Sequence, residues 1–179
     1  MVSRARGFVD SLLHSRRRRA AVRKLATASP RSVLFVCQGN ICRSPFTAAL
    51  LTQLAPTTFR GTIASAGFVG PGRPPPEHAL TTARAYGLDL STHRSAALTS
   101  ASLQTADLVV VMSRAQEKGV SARVKPGAIV VVLGDLDPLP INQRTIHDPW
   151  DGPASAFKES YARIDRCVRA LAQSAWNGS

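Results

Sequence analysis

The sequence predicts an α/β fold, a four-stranded parallel sheet with helices on both faces, preceded by a basic N-terminal extension. Short, nearly all-apolar segments alternate with segments of helical periodicity from residue 32 to about residue 175. Such strands are typical of parallel sheets, because crossover helices bury both faces of each strand. With 179 residues and 44% apolar content, the chain fits one domain, residues 32–179, and the extension, residues 1–31.

The N-terminal extension carries most of the basic excess. The formal charge is +12, and residues 1–32 contain nine basic residues against one acid, Asp10, which leaves +4 for the remainder. The run Arg16–Arg19 is followed by no apolar stretch, so a twin-arginine secretion signal is not expected. No segment has the roughly 18 apolar residues that a membrane span needs, and a cytoplasmic location is expected.

Two interpretations of the extension remain open. It is either a solvated, partly disordered tail or a basic amphipathic helix suited to contact with an anionic membrane. Nucleic acid is not an expected partner. In the helical interpretation, four apolar residues line one side: Phe8, Leu12, Val22 and Leu25.

A strand, a tight loop and a helix open the domain. Val33–Val36 is a β-branched and aromatic run typical of a buried strand. The loop Cys37–Ser44 contains Gly39 and Asn40, the residue types that most readily adopt unusual backbone angles. Pro45 presets the first turn of the following helix. This order directs several backbone N–H groups and the positive helix end to one point, which predicts an anion-binding site.

The second and third strands are predicted at Thr62–Ala66 and Leu108–Met112. Between them, Gly70–Pro76 cannot form regular structure, because prolines remove hydrogen-bond donors and glycines cost conformational entropy. A helix is then expected to begin at Pro76 and to stop at Gly87.

The last third of the chain is predicted to contain one more strand, a long loop and a helix. The strand is expected at Ala128–Leu133, after a short helix capped by Ser113. Residues 135–152 are rich in Asp and Pro without clear periodicity, and loops of that length inside a domain are usually functional. The final helix, Pro153–Ser174, has an apolar inner face and a basic outer one.

Cys37 is the predicted nucleophile of the anion site, with Arg43 beside it. The three cysteines have neither disulfide nor metal-ligand spacing, which favours reduced thiols. A helix N-terminus and a nearby arginine stabilise a thiolate, the reactive form of cysteine. Loop N–H groups and the planar Arg43 fork match phosphoryl oxygens, and the Ser44 hydroxyl is able to donate to the sulfur. The pattern predicts transfer of a phosphoryl group to Cys37.

Such a reaction also needs an acid that protonates the leaving oxygen. The long loop offers four candidates: Asp135, Asp137, Asp148 and Asp151. Asp148 is preferred, because Pro149 restricts the backbone and Trp150 offers an aromatic wall for a ring-shaped substrate. Asp135 and Asp137 are expected to serve as turn or cap residues.

These motifs resemble those of the low-molecular-weight protein-tyrosine phosphatases of bacterial type. Residues 36–45 are close to the family signature V-C-x-G-N-I-C-R-S-P. The segments Ser65–Gly67, Leu133–Pro138 and Asp148–Trp150 are similar to the family's S-A-G, L-G-x-x-D-P and D-P-aromatic segments. The resemblance covers roughly residues 32–175. It implies the low-molecular-weight phosphatase fold and hydrolysis of phosphotyrosine.

The resemblance implies a role for each residue at a matching position. Cys37 attacks phosphorus to give a cysteinyl-phosphate, Arg43 binds the phosphoryl group, and Asp148 acts first as an acid and then as a base. Ser65 and His93 support the phosphate-binding loop through hydrogen bonds. That loop comprises Gln38, Gly39, Asn40, Ile41, Cys42 and Ser44, of which Asn40 and Ser44 belong to the hydrogen-bonded set.

Substrate choice and redox behaviour are less closely defined by the resemblance. Trp150 lies at the substrate rim, where the family usually has Tyr, and Gln38 and Ala48 also depart from the usual pattern. Cys42 matches a cysteine that in relatives forms a reversible disulfide with the nucleophile, and simple packing is the alternative. No metal or organic cofactor is implied. The implied partner is a phosphotyrosine protein, such as a bacterial tyrosine kinase of exopolysaccharide synthesis.

Two other functions fit parts of the pattern. A thioredoxin-coupled arsenate reductase shares this loop, but its disulfide relay requires further cysteines, and none lies between Cys42 and Cys167. A non-catalytic phosphate-binding module would not need nucleophile, arginine and acid together. Protein-tyrosine phosphatase activity is therefore the predicted function.

Overall fold

The computed structural model describes residues 2–176, with side chains from residue 7 onward, and centres on a four-stranded sheet. The strands are β1 Ser32–Cys37, β2 Thr62–Gly67, β3 Leu108–Val111 and β4 Ile129–Val132. All pairings are parallel, and the strand order is β2-β1-β3-β4. The predicted parallel sheet is confirmed, and each predicted strand end lies within one residue of the observed one.

The carboxyl end of β1 lies where the strand order reverses. β1 pairs with β2 on one side, where Cys37 is opposite Gly67, and with β3 on the other, where Val36 is opposite Val111. The chain leaves β1 toward β2 and then crosses back to β3, and such a reversal opens a crevice at the carboxyl end of the strands. The predicted anion site therefore lies at this crevice.

Helices cover both faces of the sheet, as predicted. Within the described residues they are α1 Val2–Ala28, α2 Arg43–Leu54, α3 Glu77–Arg84, α4 Ser100–Thr105, α5 Arg114–Ser121 and α6 Ala154–Trp176. The first three and α6 bury the face that contains Phe35, while α4 and α5 bury the face that contains Val36. Across residues 2–176, no helix has both the length and the apolar character to cross a membrane.

The helix α4 is the element that the sequence pattern did not predict. The Thr99 hydroxyl accepts a hydrogen bond from the Ser102 N–H at 3.1 Å, and the Ser102 hydroxyl accepts one from the Thr99 N–H at 3.2 Å. This capping box is visible as Thr-x-x-Ser. Six residues are too few to show a helical apolar period, so the cap alone did not identify the helix.

Asp107 ties the amino end of β1 to β3. Its Oδ2 accepts hydrogen bonds from the backbone N–H groups of Arg31 and Ser32, at 3.0 and 2.9 Å. The Lys125 ammonium donates to Oδ1 at 2.6 Å. The hydrogen bond from Lys125 lowers the pKa of Asp107 to about 2. Burial acts in the opposite direction, and the hydrogen bonds from Ser32 and Arg31 outweigh it together with that of Lys125.

The helix α1 packs against α6 and the 3-10 turn Leu133–Leu136. Leu25 is fully buried and belongs to the main core. His14 donates from Nε2 to the Asp137 carbonyl oxygen at 2.9 Å, and Asp10 accepts a hydrogen bond from the Arg144 N–H at 3.0 Å. Residues 2–28 therefore form a docked helix instead of a solvated tail, whereas the domain boundary at residue 31 stays a prediction.

The prediction that four apolar residues line one side of this helix is wrong. Leu25 is buried and Val22 packs partly against the core, whereas Phe8 and Leu12 are 67% and 65% exposed. Leu25 lies about 100° from Phe8 around the helix, because the two are seventeen residues apart at 3.6 residues per turn. The four apolar residues are thus divided between two faces.

Candidate active site

The Cys37 loop, residues 37–44, joins β1 to α2. Asn40 adopts a left-handed backbone conformation with φ of 52°, which asparagine tolerates better than most residues. Gly67, at the end of β2, lies so close that a Cβ there would be 2.8 Å from Asn40 N. Gly39 leaves room for the Arg73 guanidinium, since Arg73 Nη2 lies 3.1 Å from where the Gly39 Cβ would be. The loop is therefore tightly packed on both sides.

Cys37 is almost fully buried at the end of β1. Its Sγ accepts hydrogen bonds from the Asn40 N–H at 3.2 Å and from the Ser44 hydroxyl at 3.0 Å. Both donors stabilise a thiolate, and the positive end of α2, which begins at Arg43, acts in the same direction. The sulfur is therefore held at the end of β1 by two hydrogen-bond donors.

The Asn40 side chain is the hub of the hydrogen bonds that brace the loop. Its amide Nδ2 donates to the hydroxyl oxygens of Ser44 and Ser65, at 2.9 and 2.8 Å. The His93 ring donates from Nε2 to the Asn40 carbonyl oxygen at 2.8 Å, and the Ala96 N–H donates to Asn40 Oδ1 at 2.7 Å. The structure thus brings the four predicted supporting residues into one connected network.

Arg43 lies between the Cys37 loop and the loop that carries Asp148. It is only 3% exposed, and its Nη1 donates to the Ile146 carbonyl oxygen at 3.1 Å. Its Nη2 contacts the carboxylate of Asp148. The Asp148 side chain is 42% exposed and lines the same cavity as Cys37. The predicted nucleophile, arginine and acid therefore meet at one place.

The other three candidate acids lie outside this arrangement. Asp135 is buried and accepts two 2.7 Å hydrogen bonds from Arg144. Asp137 is buried between two arginines of α6, at 3.1 and 3.2 Å, and also accepts a turn hydrogen bond from the Leu139 N–H. Both carboxylates are thus ion-pair partners, which goes beyond their predicted turn or cap role. Asp151 is exposed and does not line the cavity.

A cavity of about 230 Å³ opens at the Cys37 loop. Its walls combine apolar surface from Ile41, Val69 and Trp150 with the charged groups of Arg73 and Asp148. Trp150 is 58% exposed and forms part of the rim. The remaining lining residues come from the predicted loop: Cys37, Gln38, Gly39 and Cys42. An anionic group at the base and a ring against the apolar walls fit this cavity.

Arg73 is the functional residue that the sequence pattern did not identify. Its Nη2 donates to the Gly39 carbonyl oxygen at 2.9 Å and to the Val69 carbonyl oxygen at 3.3 Å. Its guanidinium is therefore held against the Cys37 loop, at the edge of the cavity. The available signal was a single cation inside the Pro-rich segment Gly70–Pro76, which by itself does not point to a site.

Cys42 faces the cavity from a buried position. Burial, reinforced by the negative charges of Asp148 and Cys37, raises the pKa of the Cys42 thiol to about 12. Its carbonyl oxygen accepts a 3.1 Å hydrogen bond from the hydroxyl of Tyr161, whose ring stacks on Phe46 at 3.9 Å. Burial also raises the pKa of Tyr161, so this hydroxyl stays a donor. Tyr161 thereby fixes the loop to α6.

The site supplies a nucleophile, a cationic fork and an acid, which together suit transfer of a phosphoryl group from an ester to sulfur. Among the described side chains, no group of three or more His, Cys, Asp or Glu residues is arranged to hold a metal ion. Cys167 lies buried on α6, and burial raises the pKa of its thiol well above the ordinary value. It is not part of this site.

Comparisons with known proteins find phosphatases that share the fold of this chain. Residues 32–177 match the family described as low molecular weight phosphotyrosine protein phosphatase. A probable low molecular weight protein-tyrosine-phosphatase EpsP of Ralstonia solanacearum is 37% identical over 78% of this chain and 92% of its own. The crystal structure of the tyrosine phosphatase Wzb from Escherichia coli K30 superposes with a TM-score of 0.70 at 31% identity, covering 80% of this chain and 97% of Wzb. The YwlE arginine phosphatase from Geobacillus stearothermophilus has a TM-score of 0.67 at 28% identity, with 80% and 92% covered.

Proposed function

The chain belongs to the low molecular weight phosphotyrosine protein phosphatase family, and we propose that Cys37, Arg43 and Asp148 carry out its reaction. The protein is a protein-tyrosine phosphatase that works through a cysteinyl-phosphate. The observation that supports the three assignments is their convergence: Asp148 contacts Arg43 and lines the same cavity as the Cys37 sulfur. This arrangement supports a reaction in two steps.

In the first step, the Cys37 thiolate attacks phosphorus and the bond from phosphorus to the tyrosine oxygen breaks. Two phosphoryl oxygens accept hydrogen bonds from the Nη groups of Arg43, and backbone N–H groups of the Cys37 loop donate to the third. These hydrogen bonds stabilise the negative charge of the transition state. Asp148 gives its proton to the departing phenolate, which leaves as neutral tyrosine. The products of this step are tyrosine and a cysteinyl-phosphate.

In the second step, water attacks the cysteinyl-phosphate while the Asp148 carboxylate accepts a proton from it. The bond between phosphorus and sulfur breaks, inorganic phosphate forms, and Cys37 leaves as a thiolate. The Ser44 hydroxyl stabilises the departing sulfur through its 3.0 Å hydrogen bond. The Asn40 network positions the Ser44 hydroxyl, because Asn40 Nδ2 donates to the same oxygen.

We propose a tyrosine-phosphorylated protein of the cytoplasm as the physiological substrate, and within that class a tyrosine kinase of exopolysaccharide synthesis. The apolar walls formed by Ile41, Val69 and Trp150 support an aromatic phosphoester, since an aromatic ring can pack against them in the cavity that Cys37 also lines. The similarity to bacterial relatives such as the probable phosphatase EpsP supports the kinase assignment. Substrate trapping with Asp148→Ala, followed by identification of the bound phosphoproteins, tests it.

The assignment of the acid is tested by comparing leaving groups. Asp148→Asn should lower kcat on phenyl phosphate about 10²- to 10⁴-fold, because the phenolate then leaves without a proton. The loss on p-nitrophenyl phosphate should be much smaller, since nitrophenolate leaves well unprotonated. Asp151→Asn is the matched control and should leave both rates unchanged. Equal losses on the two substrates would show that Asp148 is not the proton donor.

The assignments of the nucleophile and of the substrate class need two further assays. Cys37→Ser should abolish turnover and keep its affinity for inorganic phosphate, and retained turnover would overturn the mechanism. Phosphotyrosine, phosphoserine and phosphoarginine peptides should be compared, because one similar structure is named an arginine phosphatase. Preference for phosphotyrosine is expected from the apolar walls of the cavity, and faster hydrolysis of phosphoarginine would reassign the substrate.

A further inference from the structure

The outward face of α1 carries a stripe of residues that packing within the domain does not explain. Phe8, Leu12, Arg16, Arg19 and Arg23 follow one another at intervals of four, four, three and four, so they lie on one side of the helix. The opposite side is buried through His14, Ala21 and Leu25. We call these five outward residues the α1 stripe.

The amino half of the α1 stripe is apolar. Phe8 and Leu12 are both about two-thirds exposed, and Val9 and Leu13 beside them are also exposed. They form a continuous apolar patch on the first half of a docked helix. A merely solvated helix gains nothing from a phenylalanine and a leucine at adjacent outward positions.

The carboxyl half of the α1 stripe is cationic. Among the side chains that the structure describes, α1 forms its ion pair through Arg17 and Asp10, at 2.7 Å, away from the stripe. Arg16, Arg19 and Arg23 take part in none of the ion pairs formed by residues 7–176. The side chains of all three arginines are exposed. The stripe thus presents positive charge to the surroundings directly beyond the apolar patch.

We propose that the α1 stripe binds the surface of an anionic lipid bilayer. The helix would lie in the plane of the interface, with Phe8 and Leu12 inserted at the boundary of headgroups and acyl chains, and the three arginines on lipid phosphates. The apolar patch favours a bilayer over nucleic acid, because a phosphate backbone offers no apolar phase for Phe8. The length of the stripe, about 22 Å from residue 8 to residue 23, allows both halves to engage together.

This contact would also position the loop that carries Asp148 relative to the membrane. The amino half of α1 is bonded to the loop that carries Asp148, through Asp10 to the Arg144 N–H and through His14 to the Asp137 carbonyl. A helix fixed on the bilayer would therefore hold this loop near the lipid surface. Membrane binding would not depend on the proposed catalytic residues, since the α1 stripe lies outside the cavity.

The test is co-sedimentation of the full chain with vesicles of equal parts phosphatidylcholine and phosphatidylglycerol, with pure phosphatidylcholine vesicles for comparison. The wild-type chain should bind the anionic vesicles and not the neutral ones, and added salt should weaken binding. Replacing Arg16, Arg19 and Arg23 by Gln should reduce affinity roughly 100-fold, at about fivefold per cation. The double variant Phe8→Ser, Leu12→Ser should reduce it at least roughly tenfold.

A matched control removes the same charge on the other side of the sheet, at Arg114, Lys118 and Arg123, all of which are exposed. This triple Gln variant should keep most of the affinity, and all variants should hydrolyse p-nitrophenyl phosphate at the wild-type rate. A control variant that loses as much affinity as the stripe variant would overturn the proposal in favour of net charge. Absence of wild-type binding, or unchanged affinity of the Phe8→Ser, Leu12→Ser variant, would also overturn it.

Discussion

The Ser44 hydroxyl lies 3.0 Å from Cys37 Sγ and is itself held by the Asn40 amide at 2.9 Å. The sulfur therefore receives a hydrogen bond from a donor whose position is fixed by a second residue. A hydrogen bond to a charged atom contributes about 1.5–3 kcal/mol. This bond matters most when the thiolate is the leaving group, in hydrolysis of the cysteinyl-phosphate.

Ser44→Ala is predicted to slow the second step about 10- to 150-fold, which is the rate equivalent of that range. The cysteinyl-phosphate should then accumulate, so p-nitrophenyl phosphate should give a burst of nitrophenolate followed by slow turnover. Stopped-flow absorbance measures both phases. Ser65→Ala is the comparison, because Ser65 bonds to Asn40 without touching the sulfur. A Ser44 variant with wild-type kcat would exclude this role.

Gly67→Ala is predicted to disturb the Cys37 loop by simple overlap. The new Cβ would lie 2.8 Å from Asn40 N and 2.9 Å from Asn40 Cβ, so backbone atoms would have to move. We expect a loss of about 1–3 kcal/mol in the free energy of unfolding and weaker phosphate binding. Urea unfolding and the inhibition constant of phosphate measure the two effects.

Gly70→Ala supplies the matched control for Gly67→Ala. A Cβ at Gly70 would meet nothing within 4 Å, and the residue is outside the positive-φ region. Its stability and phosphate affinity should stay close to wild type. If both variants behaved alike, the close approach of Gly67 to Asn40 would not be the cause.

The local elements of the site were predictable because each is encoded by neighbouring residues. The strand Ser32–Cys37, the loop and the start of α2 follow one another in a single segment, so composition and turn chemistry were sufficient. Asp148 could be singled out among four acids only through its Pro–Trp context. The structure supplied the remaining reason, which is that Asp135 and Asp137 form ion pairs with arginines.

Long-range contacts explain what could not be predicted. The bond from Arg73 to Gly39 spans 34 residues and starts from a segment without periodicity. The orientation of α1 depends on Leu25 packing in the core while Phe8 stays exposed. The positions of the apolar residues in the sequence do not show which of them is buried. Tertiary packing selected the buried face of α1.

Arg73→Met is predicted to raise KM for p-nitrophenyl phosphate about 5- to 30-fold with a smaller change in kcat. The guanidinium bonds the Gly39 carbonyl at 2.9 Å and brings positive charge to the cavity edge, and both contributions act on binding of the dianion. Steady-state kinetics separates the two constants. Arg60→Met removes an equal charge from an exposed position and should change neither. A fall in kcat at constant KM would contradict the assignment.

Asp107→Asn is predicted to destabilise the fold by about 1 kcal/mol at neutral pH. The folded-state pKa of Asp107, about 2, lies below its ordinary value of 3.8, so ionised Asp107 stabilises the fold at every pH above about 4. That contribution should fade as the pH falls from about 4 toward 2. Urea unfolding of both proteins should give a constant gap from pH 7 to pH 5 that shrinks below pH 4. A gap that widens in acid would refute the argument.

Cys42 is predicted to close a disulfide with oxidised Cys37 at a rate that increases with pH. The attacking group is the Cys42 thiolate, and burial keeps the pKa of this thiol near 12. The thiolate fraction, and with it the rate of closure, should rise about tenfold per pH unit between pH 6 and pH 8. Peroxide treatment at pH 6, followed by a jump to each pH and acid quenching, allows mass spectrometry to measure closure alone. Cys42→Ser should instead proceed to sulfinic acid at Cys37. A pH-independent rate in the wild type would contradict the role of the Cys42 thiolate, and absence of closure would show that Cys42 is only a packing residue.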